Sequence, residues 1–87
     1  MRRPLYVVAM LNAPQSRAAR ALLDWTQADL AARSNLSVVI IRDFEKGRRI
    51  PGPNNLLGIR YAFEREGIVF FNDGSPGARL MLRPKAA

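Results

Sequence analysis

The chain has 87 residues, a formal net charge of +7, and neither cysteine nor histidine. A chain of that length forms one small domain, which buries only ~60% of its unfolded surface and gains from dimerisation. Disulfides, thiolate chemistry and the usual zinc ligand sets are excluded, and no apolar run approaches the ~20 residues that span a membrane. Twelve of the fourteen basic residues are arginine. Its planar fork fits phosphate and the guanine edge, which suits nucleic acid. Codon bias in a GC-rich genome accounts for part of that excess, because alanine is abundant too. It does not account for the positive net charge, which points to a polyanionic partner. Without cysteine nothing implies an oxidising compartment, and the expected location is the cytoplasm.

Residues 5–11 form a continuous apolar run behind Met1-Arg2-Arg3-Pro4. The run superficially suggests an export signal, but it is short and passes straight into a helical pattern, so it reads as a buried strand. Met10 is an alternative translation start, and Arg2-Arg3 reads as a tail or a basic arm. A first helix begins near Pro14, with Asn12 as its cap and Ala18, Ala19, Leu22 and Leu23 as its apolar face. Asp24-Trp25 ends it, and Trp25 reads as a core residue roofing the next corner. The second helix starts at Thr26, an N-cap that forms a capping box with Asp29. It closes over Arg33-Ser34-Asn35, where Asn35 supplies a left-handed residue.

The third helix follows Ser37, an N-cap, and runs to Lys46 with Gly47 as its C-cap. Ile41 and Phe44, three apart, share its buried face. Arg48-Arg49-Ile50-Pro51-Gly52-Pro53 is a basic, proline-punctuated loop. Leu56, Ile59, Ala62 and Phe63 recur at helical spacing in a fourth helix over residues 54–66, stopped by Gly67. Residues 68–71 and 78–82 are two strands around Asn72-Asp73-Gly74-Ser75, a hairpin signal. The fold class is mainly α with a small β component: four helices, an N-terminal strand and a C-terminal hairpin. All 87 residues make one domain: an arm or strand over 1–13, a helical core over 14–66, and a hairpin with a basic tail over 67–87.

The span from Thr26 to Gly47 has the layout of a helix-turn-helix. Two helices crossing steeply over a short turn need a small residue where they touch, and Ala31 stands there. The turn needs a positive φ, which Asn35 can adopt, and the second of the two helices needs an aliphatic anchor, which Ile41 supplies. With Arg20, Thr26-Gln27, Leu30-Ala31, Ser37, Ile41, Glu45-Lys46-Gly47 and Pro51, the sequence resembles the XRE/Cro family of phage-repressor-like regulators across residues 14–66. It is also similar to small members in which the fourth helix runs into a Gly-Ile/Val-x-Phe strand and a hairpin, here Gly67-Ile68-Val69-Phe70.

The resemblance implies a homodimeric regulator of transcription, a repressor or a dual regulator, that places its third helix in the major groove of a palindromic operator. It implies that Thr26 and Gln27 hold a phosphate at the start of the second helix, and that Lys46, Arg48 and Arg49 hold others. Arg20 and Glu45 resemble a structural ion pair tying the first helix to the third. Base readout falls to Ser37, Val38, Val39, Arg42 and Asp43, with Ile40 at the margin or in the core. Here the chain departs from the family, which more often carries polar readers. Val38 and Val39 cannot hydrogen-bond a base edge, but they can pack on thymine methyl groups.

Leu5, Val7, Ile68, Phe70, Leu80 and Leu82 are the expected dimerisation residues, because a lone hairpin with apolar faces invites pairing. Two other readings remain open: a protein-interaction module that uses the valine face as an adaptor or anti-activator, and the antitoxin of a toxin–antitoxin pair. No catalytic constellation, Gly-rich phosphate loop, cofactor site or small-molecule pocket is legible. The expected partners are double-stranded DNA and a second copy of the chain, with no membrane and no ligand.

Overall fold

The order of the elements follows from where the chain can cap a helix and where it must turn. A computed structural model describes residues 11–71 and 77–80. Four helices, α1 (Ala13–Leu23), α2 (Gln27–Ser34), α3 (Val38–Glu45) and α4 (Pro53–Glu64), precede a two-stranded antiparallel sheet, β1 (Ile68–Phe71) and β2 (Gly77–Leu80). Ile68 faces Leu80 in the register, and Phe71 faces Gly77. The mainly α architecture with a small β hairpin is as expected. Leu11, the one described residue of the expected N-terminal strand, lies outside any strand and is fully buried. The rest of that strand, with Leu5, Val7 and Met10, lies outside the described residues, as do the hairpin turn at 72–76 and Leu82.

Three of the four helix starts carry a side-chain cap. Asn12 accepts from the Gln15 backbone N–H, and the Gln15 side chain accepts from the Asn12 N–H, which completes a capping box. Thr26 and Asp29 form the expected second box. Ser37 Oγ accepts from the Ile40 N–H at 3.2 Å. Such caps satisfy donors that a helix start leaves without intrahelical partners. α4 begins one residue before the expected position, at Pro53, whose missing N–H costs nothing in a first turn.

The core gathers Leu11, Ala19, Leu30, Ala31, Ile41, Phe44, Leu56, Ile59, Ala62, Phe63, Ile68 and Phe70. Phe63 is its aromatic centre. Trp25 stacks on it with ring centroids 5.7 Å apart, and Phe70 meets it edge-on at 5.8 Å. Trp25 is only half-buried, and it roofs α4 through Phe63 as well as the corner between α1 and α2.

The face of α1 differs from the expected one. Ala18 and Leu22 are exposed, while Gln15, Ser16 and Ala19 are buried. Polar groups can be buried where their hydrogen bonds are made, and both polar residues have dedicated partners. Gln15 Nε2 donates to the Phe71 and Gly77 carbonyls, each at 3.0 Å, so one side-chain amide grips both strands of the hairpin. A Cβ on Gly77 would lie 2.7 Å from the Phe71 ring, so glycine there lets that ring close over the strand. Gln15→Met keeps the bulk but leaves two strand carbonyls without this donor. Amide exchange over residues 68–71 and 77–80 is expected to accelerate by about tenfold or more, with α2 and α3 unchanged. Uniform acceleration would show that the hairpin does not open as a separate unit.

Ile68 and Phe70 change role with respect to the expected dimer contact. They are 1% and 8% exposed, with their side chains inside the protomer's own core. The hairpin packs onto the helices with this apolar face, which the sequence reading assigned to a partner copy. Of β1, Val69 is the side chain that faces outward.

Candidate nucleic-acid interface

The turn between α2 and α3 is set by one residue. Asn35 takes the left-handed conformation, φ 58° and ψ 42°, which Asn tolerates better than most side chains. The Leu36 N–H then reaches back to the Ala31 carbonyl at 3.0 Å, and half-buried Leu36 packs against the core. This geometry closes α2 and releases the chain at Ser37, where α3 starts. Asp24 does the same job at the end of α1, with φ 57°. Sequence reading placed the helix end there but missed the left-handed turn.

α3 buries Ile41, Phe44 and Glu45 and turns the opposite side outward. Ser37, Val38, Val39 and Arg42 are exposed, Val38 and Val39 at 43% and 44%. Ile40 and Asp43 are half-buried. Residues three and four apart share a helix face, so Val38, Val39 and Arg42 form one surface. Arg42 Nε lies 3.9 Å from Asp43 Oδ1, a loose contact that leaves the guanidinium available. The Arg48 and Arg49 N–H groups donate to the Asp43 carbonyl at 2.9 and 3.3 Å. That folds the basic segment back on the end of α3, with Lys46, Arg48 and Arg49 exposed. The structure thus places Ser37, Val38, Val39 and Arg42 on the outer side of α3 and Lys46, Arg48 and Arg49 beyond its end, while Thr26 and Gln27 stand apart at the start of α2.

A buried carboxylate holds this surface in place. Glu45 is 2% exposed. Arg20 donates to it through Nε and Nη2, the shortest contact being 2.7 Å. Ser16 Oγ donates at 2.6 Å and Gln27 Nε2 at 3.2 Å. The Arg17 guanidinium donates to the Glu45 backbone carbonyl, and Arg20 Nη1 to the Trp25 carbonyl at 3.1 Å. One side chain on α3 therefore ties together α1 and α2. Burial pushes the Glu45 carboxyl up, but the hydrogen bonds from Arg20, Ser16 and Gln27, with the Arg20 charge, outweigh it and hold it below the usual glutamate range. Asp29, fully exposed, is also held low, first by the hydrogen bond from the Thr26 backbone.

Two members of this hub were missed in the sequence. Ser16 sits among alanines with no motif to mark it. Arg17 carried a faint signal, since it lies three residues before Arg20 on the same helix. Gln27 is placed at the start of α2 as expected, but its side-chain amide is turned onto Glu45 rather than outward. In the first turn of α2 the Asp29 N–H is taken by Thr26 Oγ, which leaves the Gln27 and Ala28 N–H groups without intrahelical acceptors, as at any helix start.

No group of three or more acidic residues among the described residues could hold a metal ion, and no helix there is long and apolar enough to cross a membrane. Comparison with known protein families matches residues 17–60 to the helix-turn-helix family. No curated protein matches the chain. The match covers just over half of the chain and spans the Thr26 and Ser37 caps, the Asn35 turn, and Arg17, Arg20, Gln27 and Glu45 of the hub, with Asn12 and Ser16 just outside it. On that match and that geometry, the chain belongs to the XRE/Cro-like family of DNA-binding helix-turn-helix regulators.

Proposed function

We propose that this protein is a sequence-specific transcriptional regulator that binds a palindromic operator as a homodimer, with α3 in the major groove. The observation that carries this reading is the outward face of α3. It is exposed, fixed from behind by Glu45, and continued at its end by Lys46, Arg48 and Arg49. A rigid helix face beside a cluster of cations suits a polyanion with a structured groove. Two copies of α3 related by a two-fold axis would enter successive major grooves ~34 Å apart. Ile68 and Phe70 being spent in the core, the outward side of the hairpin with Val69 is the surface left on β1 for pairing. The net charge and the small core support a dimeric DNA binder, and repression follows where the operator overlaps a promoter.

Titration of duplex DNA at increasing salt tests the reading. The logarithm of the affinity is expected to fall linearly with log[salt], by about 0.9 per phosphate neutralised. Replacing Lys46, Arg48 and Arg49 together by alanine removes six cations from the dimer, and should reduce that slope by up to about 5 and leave the order of preference among duplexes unchanged. Sedimentation in the same buffers reports the stoichiometry. Affinity indifferent to salt would replace this reading with a protein-binding role for the exposed valines.

A further inference from the structure

The first two turns of α3 expose two branched apolar side chains where a polar base reader would be expected. Val38 and Val39 are 43% and 44% exposed at the start of an eight-residue helix. Ser37, beside them, has its Oγ engaged as acceptor of the helix N-cap. Arg42, one turn on, has a side chain 48% exposed with only a loose carboxylate contact at 3.9 Å. Arg42 lies on the same face, and Lys46, Arg48 and Arg49 are exposed beyond the far end of α3, so the apolar patch sits on a helix that ends in cations. An acidic or apolar protein surface would match half of that pattern. A major groove matches both halves, with phosphates along its walls and C5-methyl groups on its floor.

We infer that Val38 and Val39 read the C5-methyl groups of thymine, and that Arg42 reads a guanine close by, in each half-site of the operator. This inference rests on the DNA-binding reading above. The major groove distinguishes T·A by its methyl group and G·C by its paired acceptors, and valine can sense only the former. The spacing is consistent. Four residues of helix rise by about 6 Å from Val38 to Arg42. At about 3.4 Å per nucleotide, thymine and guanine then fall within about two base-pair steps. The specificity is correspondingly narrow, because the valines reject no competitor by an unpaired hydrogen bond. They discriminate by contact with methyl alone.

The chemical test removes that methyl without touching any hydrogen bond. Full-length protein first selects duplexes from a random pool. Deoxyuridine then replaces each thymine of the enriched half-site in turn, and 5-methylcytosine replaces each cytosine that competes at the same position. Deoxyuridine at the thymines facing α3 is expected to weaken binding about fourfold per methyl lost, and 5-methylcytosine to recover part of the loss seen with cytosine. In Val38→Ser and Val39→Ser, whose exposed positions leave the fold intact by circular dichroism, thymine and deoxyuridine should bind alike at the base that the replaced valine faces. An enriched operator indifferent to deoxyuridine, or a deoxyuridine effect that persists in both variants, would overturn the thymine assignment while leaving the regulator in place. A pool that enriches no sequence would overturn both.

Discussion

Glu45→Ala is expected to destabilise the domain by about 3–5 kcal/mol, the usual cost of breaking a buried ion pair from one side. The carboxylate is nearly inaccessible and accepts hydrogen bonds from Arg20, Ser16 and Gln27. Removing it leaves the partly buried Arg20 guanidinium without its counter-charge and the Ser16 hydroxyl without its acceptor. A domain of this kind is stable by about 5–15 kcal/mol in total, so the variant loses a large share of its margin. Urea denaturation measures the effect. Glu45→Gln retains the shape and an acceptor oxygen and should lose less. Equal loss in both variants would assign the effect to charge alone rather than to the hydrogen bonds.

The same residue predicts an acid limb. Its folded pKa lies below the ordinary value, so its contribution to stability is fully present above the usual glutamate range. That contribution is lost as the pH falls from that range through the depressed folded value. The wild type should therefore lose stability on acidification, and Glu45→Gln should lose less over the same window. Parallel curves for the two proteins would place the acid sensitivity elsewhere.

Phe63→Ala is expected to cost about 3–5 kcal/mol, the range for removing a buried aromatic side chain. Phe63 is fully buried, with Trp25 stacked on one side and Phe70 edge-on at another. It therefore joins the α1–α2 corner and the hairpin to α4. Truncation forfeits the transfer energy of the ring and opens a cavity where those elements meet. Trp25 supplies its own readout, because it is the one tryptophan of the chain. Its emission should shift to the red as its stacking partner is lost, and the urea midpoint should fall. A lowered midpoint with unchanged emission would mean that Trp25 is held by Arg33, whose guanidinium lies 5.1 Å from the ring centroid, rather than by Phe63.

Much of the α2–α3 unit was legible in the chain because local chemistry dictates it. Thr26 with Asp29, the left-handed Asn35 and the Ser37 cap are short-range devices, each complete within four residues. The inward positions of α3 and α4 follow from helical periodicity. The first helix was misread because its most apolar stripe is not its buried one. Leu22 faces solvent, while Gln15 and Ser16 are buried on partners 29 to 62 residues away, which no local pattern encodes.

The sequence by itself determined the helix ends, the turn and the positive charge, and through them the family and the short set of α3 residues that face outward. Tertiary structure alone decided what those residues rest on. It converts the carboxylate of Glu45 from one half of an ion pair into a hub for α1 and α2. It turns the Gln15 amide into the link between α1 and the hairpin, and it draws Ile68 and Phe70 inward from the expected dimer surface. The physical reason is the same in each case. Caps and turns are satisfied by neighbours in sequence, whereas a buried polar group must find its partner wherever packing brings one, and only the folded chain specifies where that is.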